Sequence, residues 1–212
     1  MAAIAALARN AGLLVIVDGK RGDVPVTAAA YAQAMVGETD TPFGPVGGLG
    51  ADGFTANPFL GGDALEPMVQ AARDAGAGVF VVVRTSNPGA ADLQDLPTGT
   101  PTGGAAPLWE RVAARVAELG SGVGAVVGAT APEHLGRMRA LMPRTVFLLP
   151  GVGAQGGCVD DLAPAFTPGP AAALVPVSRS IAGAHERTGG DPAAAARAQA
   201  QRLRDAIARV AG

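Results

Sequence analysis

The sequence predicts an α/β fold built on a parallel sheet, and three observations carry that expectation. Apolar, strand-like runs alternate with helical patterns along the chain. Such alternation builds a parallel sheet with right-handed crossovers. The strand end Leu149-Pro150-Gly151-Val152-Gly153-Ala154-Gln155-Gly156-Gly157 is a glycine-rich turn, and the next strand ends in Ser178-Arg179-Ser180. Two successive βα loops, one full of free backbone N–H groups and one bearing an arginine, form the usual phosphate site after strands seven and eight of an α/β barrel. Finally, the apolar run Leu13-Leu14-Val15-Ile16-Val17 leads directly into Asp18-Gly19-Lys20-Arg21-Gly22-Asp23. Charged groups at the carboxyl end of a strand are where such barrels keep their chemistry. The expected fold is therefore a TIM (β/α)8 barrel. An open doubly wound sheet would tolerate the six strands in view, but the paired phosphate loops argue against it.

The elements follow in order. Met1–Asn10 reads as a helix. Leu13–Val17 reads as a strand buried on both faces, and Gly53–Ala56, Val79–Val83, Gly124–Val127, Val146–Leu149 and Ala173–Val177 are the other strands. Helical patterns cover Val26–Met35, Ala64–Ala75, Leu108–Leu119, Pro132–Leu141, Val159–Ala165 and Pro192–Val210. Thr130 followed by Pro132-Glu133 has the form of a capped helix start. The Gly- and Pro-rich stretch Gly37–Gly50 reads as a long loop, and Leu96–Pro107 as a second, mobile loop of lid type. If the phosphate loops follow strands seven and eight, these six strands are numbers three to eight. Strands one and two are then absent from the amino end, and the chain is expected to be poorly soluble and inactive when made alone, because closure is what removes sheet edges.

Composition narrows the function. Apolar residues make up 49% and charged residues 16% of the chain, which is globular rather than disordered. One domain over residues 1–212 is the expectation. The net charge is −2 and no basic stripe interleaved with aromatics occurs, so nucleic-acid binding is not suggested. No apolar run approaches the ~20 residues of a membrane span, and the amino end lacks the basic region of a signal peptide. The single cysteine, Cys158, fits a reduced, cytoplasmic setting.

The segment after the first strand carries the chemistry. Strand side chains alternate faces, so Asp18 and Lys20 share one side while Gly19 faces away. Gly22 lets the backbone turn so that Asp23 comes back toward the pair. A strand-end ion pair is the structural alternative to a catalytic cluster. His134 and His185 lack a metal-ligand spacing partner and read as surface residues. Cys158, at the start of the helix after the glycine loop, reads as packing. Trp109 and Tyr31, at helical positions, read as core or interface.

Several segments together resemble one family along nearly the whole chain. They are Asp18-Gly19-Lys20-Arg21-Gly22-Asp23-Val24 with Thr27, Thr55-Ala56-Asn57-Pro58-Phe59-Leu60-Gly61, Arg84-Thr85-Ser86-Asn87-Pro88-Gly89-Ala90, Val127-Gly128-Ala129-Thr130, Pro150–Gly157, and Ser178-Arg179-Ser180-Ile181. The chain resembles the orotidine 5′-phosphate decarboxylases of the longer bacterial type. Val24-Pro25 stands where that family usually shows Ile-Gly, a departure that leaves the chemistry untouched.

The resemblance implies loss of CO₂ from C6 of orotidine 5′-monophosphate to give UMP in de novo pyrimidine synthesis, with no cofactor and no metal. It implies Lys20 as proton donor, flanked by Asp18 and Asp23. Ser86 matches the contact to the pyrimidine amide edge. Gln155 and Arg179 match the phosphate side, with the backbone of Gly156 and Gly157 joining them. Asn57 is a further substrate-side candidate, with capping of the next turn as its structural alternative. Asp23 and Thr27 match residues that reach into the neighbouring subunit, which implies a homodimer. The family's other catalytic lysine and a ribose-binding aspartate belong to strands one and two and are not found in this chain. Two alternatives stay open at this point. One is a related barrel decarboxylase of sugar acids, such as 3-keto-gulonate 6-phosphate decarboxylase, which shares Asp-x-Lys-x-x-Asp but binds magnesium. The other is a catalytically impaired nucleotide-binding fragment.

Overall fold

The structure, a computed structural model, describes residues 1–100 and 103–212. The strands of the main sheet are parallel where their register is defined, and their spatial order follows their order in the chain. A doubly wound sheet reverses its order at a switch point. The sequential order therefore decides for the α/β-barrel class. The chain divides into two compact units, Met1–Val82 with Glu118–Ala125, and Val83–Ala117 with Val126–Gly212.

The first unit opens with α1 (Ala2–Asn10), which buries only Ala5 and leaves Ile4 and Leu7 exposed. Strand β1 (Ile16–Arg21) starts three residues later than the apolar run suggests, and Leu14 is 83% exposed. The expectation of a strand buried on both faces fails here. Among the described residues β1 is hydrogen-bonded to one strand of the sheet, Gly53–Ala56, and an edge strand has fewer neighbours to cover its side chains. Helix α2 (Pro25–Val36) begins with Pro in its first turn, where the missing N–H costs nothing. It buries Ala28 and Ala32 and packs against the helix Gly62–Asp74. The Gly37–Gly50 stretch is not a plain loop, for it carries an antiparallel pair, β2 (Glu38–Thr39) and β3 (Val46–Gly47). Strand β4 (Gly53–Ala56) is buried throughout. Helix α3 (Gly62–Asp74) turns Leu65, Met68, Val69 and Ala72 inward at the helical period. Strand β5 (Gly78–Arg84) pairs in parallel register with β4, from Gly53 opposite Gly78 to Ala56 opposite Val81.

The second unit begins with α4 (Ala90–Leu93) and then β6 (Pro97–Gly99) and β7 (Ala105–Pro107), which form an antiparallel hairpin. The Leu96–Pro107 segment is thus a hairpin rather than an irregular loop. Its residues 101 and 102 lie outside the described residues. Helix α5 (Leu108–Leu119) buries Trp109, Ala113 and Val116 and is followed by the fully buried β8 (Val123–Val127). A 3₁₀ turn, Pro132–His134, leads into α6 (Leu135–Leu141). Its N-cap is Ala131, without a side-chain cap, so Thr130 does not cap the helix. Strand β9 (Phe147–Leu148) follows. The expected α-helix at Val159–Ala165 is instead a 3₁₀ segment, Asp160–Phe166, interrupted by Pro164, which lacks the N–H an α-helix needs. Strand β10 (Ala173–Leu174) pairs with β9 and stops short of Val177, because Pro176 cannot donate to a ladder. Short helices α7 (Arg179–Ala182) and α8 (Ala184–Thr188) precede α9 (Pro192–Ala211), whose amino end is capped by the Asp191 carboxylate accepting from Ala194 N–H at 2.7 Å.

Two arginines hold this second unit. Arg139 is 6% exposed, and its guanidinium donates to the carbonyls of Met142, Thr145, Ala165 and Ala172 at 2.9, 2.7, 2.6 and 3.2 Å. Its carbon Cζ sits 3.7 Å from the centre of the Phe147 ring. Burial pulls this guanidinium down to about 10, still well above neutral pH, so it acts as a cation collecting carbonyls from separate segments. Arg84, at the end of β5, forms a bidentate pair with Asp95, Nε to Oδ1 at 2.9 Å and Nη2 to Oδ2 at 2.8 Å. Hydrogen bonding from Arg84 holds the Asp95 carboxyl below its ordinary 3.8.

Arg139→Met therefore destabilises the protein by about 3 kcal/mol or more, since it strips charge-assisted bonds from buried carbonyls. Thermal unfolding checks this, and a melting temperature within ~2 °C of the parent contradicts it. The Asp95 pair has a defined pH dependence. Its folded pKa is lowered, so its stabilisation is present above about pH 3.8 and is lost as pH falls through the lower folded value. Asp95→Asn is accordingly less stable than the parent at pH 7, and the gap narrows below pH ~4. Urea unfolding at pH 7 and pH 3 measures it; an equal gap at both contradicts the assignment.

Candidate active site

In the first unit, the charged group at the end of β1 is organised by a single hydroxyl. Lys20 Nζ donates to both Asp18 oxygens, at 2.5 and 2.7 Å. Thr55, fully buried on β4, donates its hydroxyl to Asp18 Oδ1 at 3.0 Å and accepts from the Lys20 backbone N–H at 2.8 Å. Asp18 and Lys20 thus share one side, as strand alternation predicts. Gly19 faces the other way, where a Cβ would lie 2.8 Å from the Tyr31 hydroxyl. Tyr31 packs edge-on against Phe54, with its ring centroid 5.6 Å away, and donates to the Thr55 carbonyl at 3.2 Å. Burial pushes the Tyr31 phenol up from its ordinary value.

Lys20 has φ +47°, the one non-glycine residue in the left-handed region among those described. That conformation costs a side-chain-bearing residue roughly 1–2 kcal/mol. It coincides with the irregular register of β1 on β4, between Val17 opposite Phe54 and Arg21 opposite Ala56. Thr55 Oγ1 takes up the Lys20 N–H that this bulge removes from the ladder.

The remaining first-unit candidates stay outside the cluster. Asp23 is exposed, and its carboxylate accepts from the Val24 N–H at 2.7 Å rather than returning to Lys20. The turn that carries it away is set by crowding: a Cβ on Gly22 would lie 2.6 Å from the Asn57 carbonyl oxygen. Gly22 is thus required for close approach and not for a left-handed turn. Thr27 is exposed on the first turn of α2. Asn57 caps the next turn, its Oδ1 accepting from Phe59 N–H at 3.0 Å.

In the second unit, Ser86 and Gln155 come together, the serine hydroxyl donating to the Gln155 amide oxygen. The glycine loop differs from expectation. Gly153, Gly156 and Gly157 donate their N–H groups to the carbonyls of Gly157, Gly153 and Gly151, at 3.1, 2.9 and 3.0 Å. The amides of Gly156 and Gly157 are thereby spent within the loop, because positive φ at Gly151, Gly153 and Gly156 folds it back on itself. What the loop leaves available is side-chain chemistry. Arg179, exposed at the start of α7, lines a hollow of about 540 Å³ with Gly153, Ala154, Ser180 and Arg187. Its guanidinium has no side-chain partner among the described residues. Arg187 braces the turn beneath it, donating to the Ser180 carbonyl at 2.6 Å.

Three further expectations from the sequence do not hold. Cys158 is exposed and does not serve packing. His134 is only partly exposed, stacking on the buried Trp109 with ring centroids 5.3 Å apart. His185 is also partly buried. Sequence reasoning missed Thr55 as a site residue, and also Gln94 and Thr130, which bind the backbone on either side of Ser86. A threonine in the otherwise apolar β4, beside the strand bearing Asp18, was the available signal.

Comparison with known proteins matches the architecture. Residues 2–199 match the model of the orotidine 5′-phosphate decarboxylase / HUMPS family. The chain is 44% identical over 189 residues to the orotidine 5′-phosphate decarboxylase of Rhodopirellula baltica, covering 85% of this chain and 60% of that protein. It is 44% identical over 214 residues to the same-named protein of Deinococcus radiodurans, covering 96% and 70%. The solved OMP decarboxylase of Leishmania donovani superposes with a TM-score of 0.72 at 33% identity, over 97% of this chain and 74% of that one. The chain thus spans about 60–70% of the length of these curated relatives. The chain belongs to the orotidine 5′-phosphate decarboxylase / HUMPS family.

Proposed function

We propose that the protein decarboxylates orotidine 5′-monophosphate to UMP, acting in the cytoplasm in pyrimidine synthesis. The observation that carries this reading is the backbone strain at Lys20. The Lys20–Asp18 pair is 34% and 54% exposed at its side chains, and a pair so open to water contributes little to stability. A left-handed lysine at the end of a strand therefore costs folding energy without an equivalent return in the fold. Strain of this kind is retained where it positions chemistry. The names of the relatives supply the reaction class.

The roles follow from charge. When the C6–carboxylate bond breaks, CO₂ leaves without the bonding electrons and the pair remains on C6. An ammonium held at that carbon stabilises the developing charge without reorganising. Lys20 Nζ then gives a proton to C6, the product is UMP, and the lysine recovers its proton from water. Asp18 aims the ammonium, and Thr55 aims Asp18. Ser86 is assigned the pyrimidine amide edge, and Gln155 and Arg179 the phosphate. Arg179, exposed and without a side-chain partner among the described residues, suits a phosphate dianion, which accepts charge-assisted hydrogen bonds from a guanidinium. Asn57 is left with its capping role.

Asp23 and Thr27 are assigned to a second copy of the chain in a homodimer. Both are exposed, beside Val24 and Val26, which are also exposed. A carboxylate and a hydroxyl flanked by uncovered valines suit a subunit interface.

Two substitutions test the reading. Lys20→Ala lowers turnover by about 10⁴-fold or more, the combined size of lost proton transfer and lost charge stabilisation, while UMP still binds. The fall in orotidylate absorbance follows the first and calorimetric titration the second; substantial turnover by the variant removes Lys20 from its role. Arg179→Ala costs about 2–4 kcal/mol in kcat/KM, as expected when one partner of a charged pair is truncated. An unchanged kcat/KM refutes the phosphate assignment.

A further inference from the structure

Ser86 is held by residues that the reaction itself does not involve. The Gln94 side chain folds back on the residue before it: Oε1 accepts the Thr85 N–H at 2.8 Å, and Nε2 donates to the Thr85 hydroxyl at 2.9 Å. One amide thus meets a donor and an acceptor on the same residue, each at normal hydrogen-bond length. On the other side, the Thr130 hydroxyl donates to the Ser86 carbonyl at 2.8 Å. Below, Gly128 approaches so closely that a Cβ there would lie 2.7 Å from the Thr85 carbonyl oxygen and 2.9 Å from the Ser86 Cα. Gln94 is itself held, since its carbonyl accepts from Trp109 N–H at 3.0 Å and its neighbour Asp95 is locked to Arg84. Gln94 is part-buried and Asp95 closes the base of the segment, so the two ends of residues 84–95 are tied together.

We propose that Gln94 and Thr130 are positioning residues for Ser86: they hold the backbone on both sides of it and so set the direction in which its hydroxyl meets the pyrimidine. The proposal rests on the reading of Ser86 as the pyrimidine contact. Its physical basis is that a contact selecting one ring edge must be held within fractions of an ångström, and a displacement near 1 Å costs on the order of 100-fold in rate. For Ser86, between Thr85 and Asn87-Pro88-Gly89, the backbone on its two sides is held by Gln94 and Thr130. The consequence concerns selectivity: ligands that offer a pyrimidine depend most on Gln94 and Thr130, and ligands that offer only a phosphate feel them only through the Ser86–Gln155 hydrogen bond.

The experiment compares Gln94→Leu, Thr130→Val, Ser86→Ala and the double variants with Ser86→Ala in the whole protein. It measures kcat/KM for orotidine 5′-monophosphate, UMP affinity, inorganic phosphate affinity and thermal unfolding. Gln94→Leu and Thr130→Val each lower kcat/KM and UMP affinity by about 10–100-fold and lower phosphate affinity by no more than Ser86→Ala does, the part that passes through Gln155. Neither adds to the loss already caused by Ser86→Ala, because residues acting through one group are non-additive. Gln94→Glu, which keeps the acceptor for Thr85 N–H, recovers part of the loss. Thr130→Val nearly preserves shape, so it tests the positioning role even if Gln94→Leu unfolds. If Ser86→Ala is damaging while both variants are silent, or while their losses multiply with it, the positioning proposal is overturned and the reading of Ser86 stands. If Ser86→Ala is silent, that reading fails and the proposal falls with it.

Discussion

The hydroxyl of Thr55 is the group on which the candidate catalytic cluster depends. It does two things that no other group near it does: it accepts the Lys20 N–H and donates to Asp18. Without the first bond, the left-handed turn at Lys20 would leave a backbone donor unsatisfied at the point where the β1–β4 ladder breaks. Without the second, Asp18 would lose the partner that turns its carboxylate toward Lys20 Nζ. A buried side chain on the neighbouring strand thus sets the position of an exposed one. The ammonium can face a ligand because the rigidity is supplied from β4, inside the core.

The second unit divides its polar groups differently. In the glycine loop the amides of Gly153, Gly156 and Gly157 are satisfied by the loop's own carbonyls. Its positive-φ glycines make that self-pairing possible. The side chains of Gln155 and Arg179 remain accessible beside it.

The arginines of this unit show how burial separates roles. Arg139 is enclosed by carbonyls and an aromatic face, and its charge is consumed in joining segments far apart in sequence. Arg84 spends its charge on Asp95. Arg179 has no side-chain partner among the described residues. Three identical side chains become a clamp, a latch and an exposed cation through their surroundings alone.

By itself the sequence determined the alternation of strands and helices, because the period of apolar residues reports directly which face is buried. It also supplied the candidate site residues: Asp18 and Lys20 on one side of a strand, Ser86 and Gln155 in loops, Arg179 after the last strand. These are local or compositional facts. It misjudged what depends on neighbours. Leu13 and Leu14 read as core because they are apolar, yet only packing decides whether a strand is covered. Val159–Ala165 read as α-helix, and Pro164 turned it into a 3₁₀ segment. Asp23 read as returning to Lys20, but the crowding of Gly22 against Asn57 carries it away. The glycine loop read as open donors, and the amides of Gly153, Gly156 and Gly157 closed on the loop itself. Thr55, Gln94 and Thr130 were not singled out as site residues, since a hydroxyl or amide gains its role from what lies within 3 Å of it. Tertiary structure decided those cases because hydrogen bonds act over the length of one contact, and which groups come into contact is set by how elements distant in sequence are brought together.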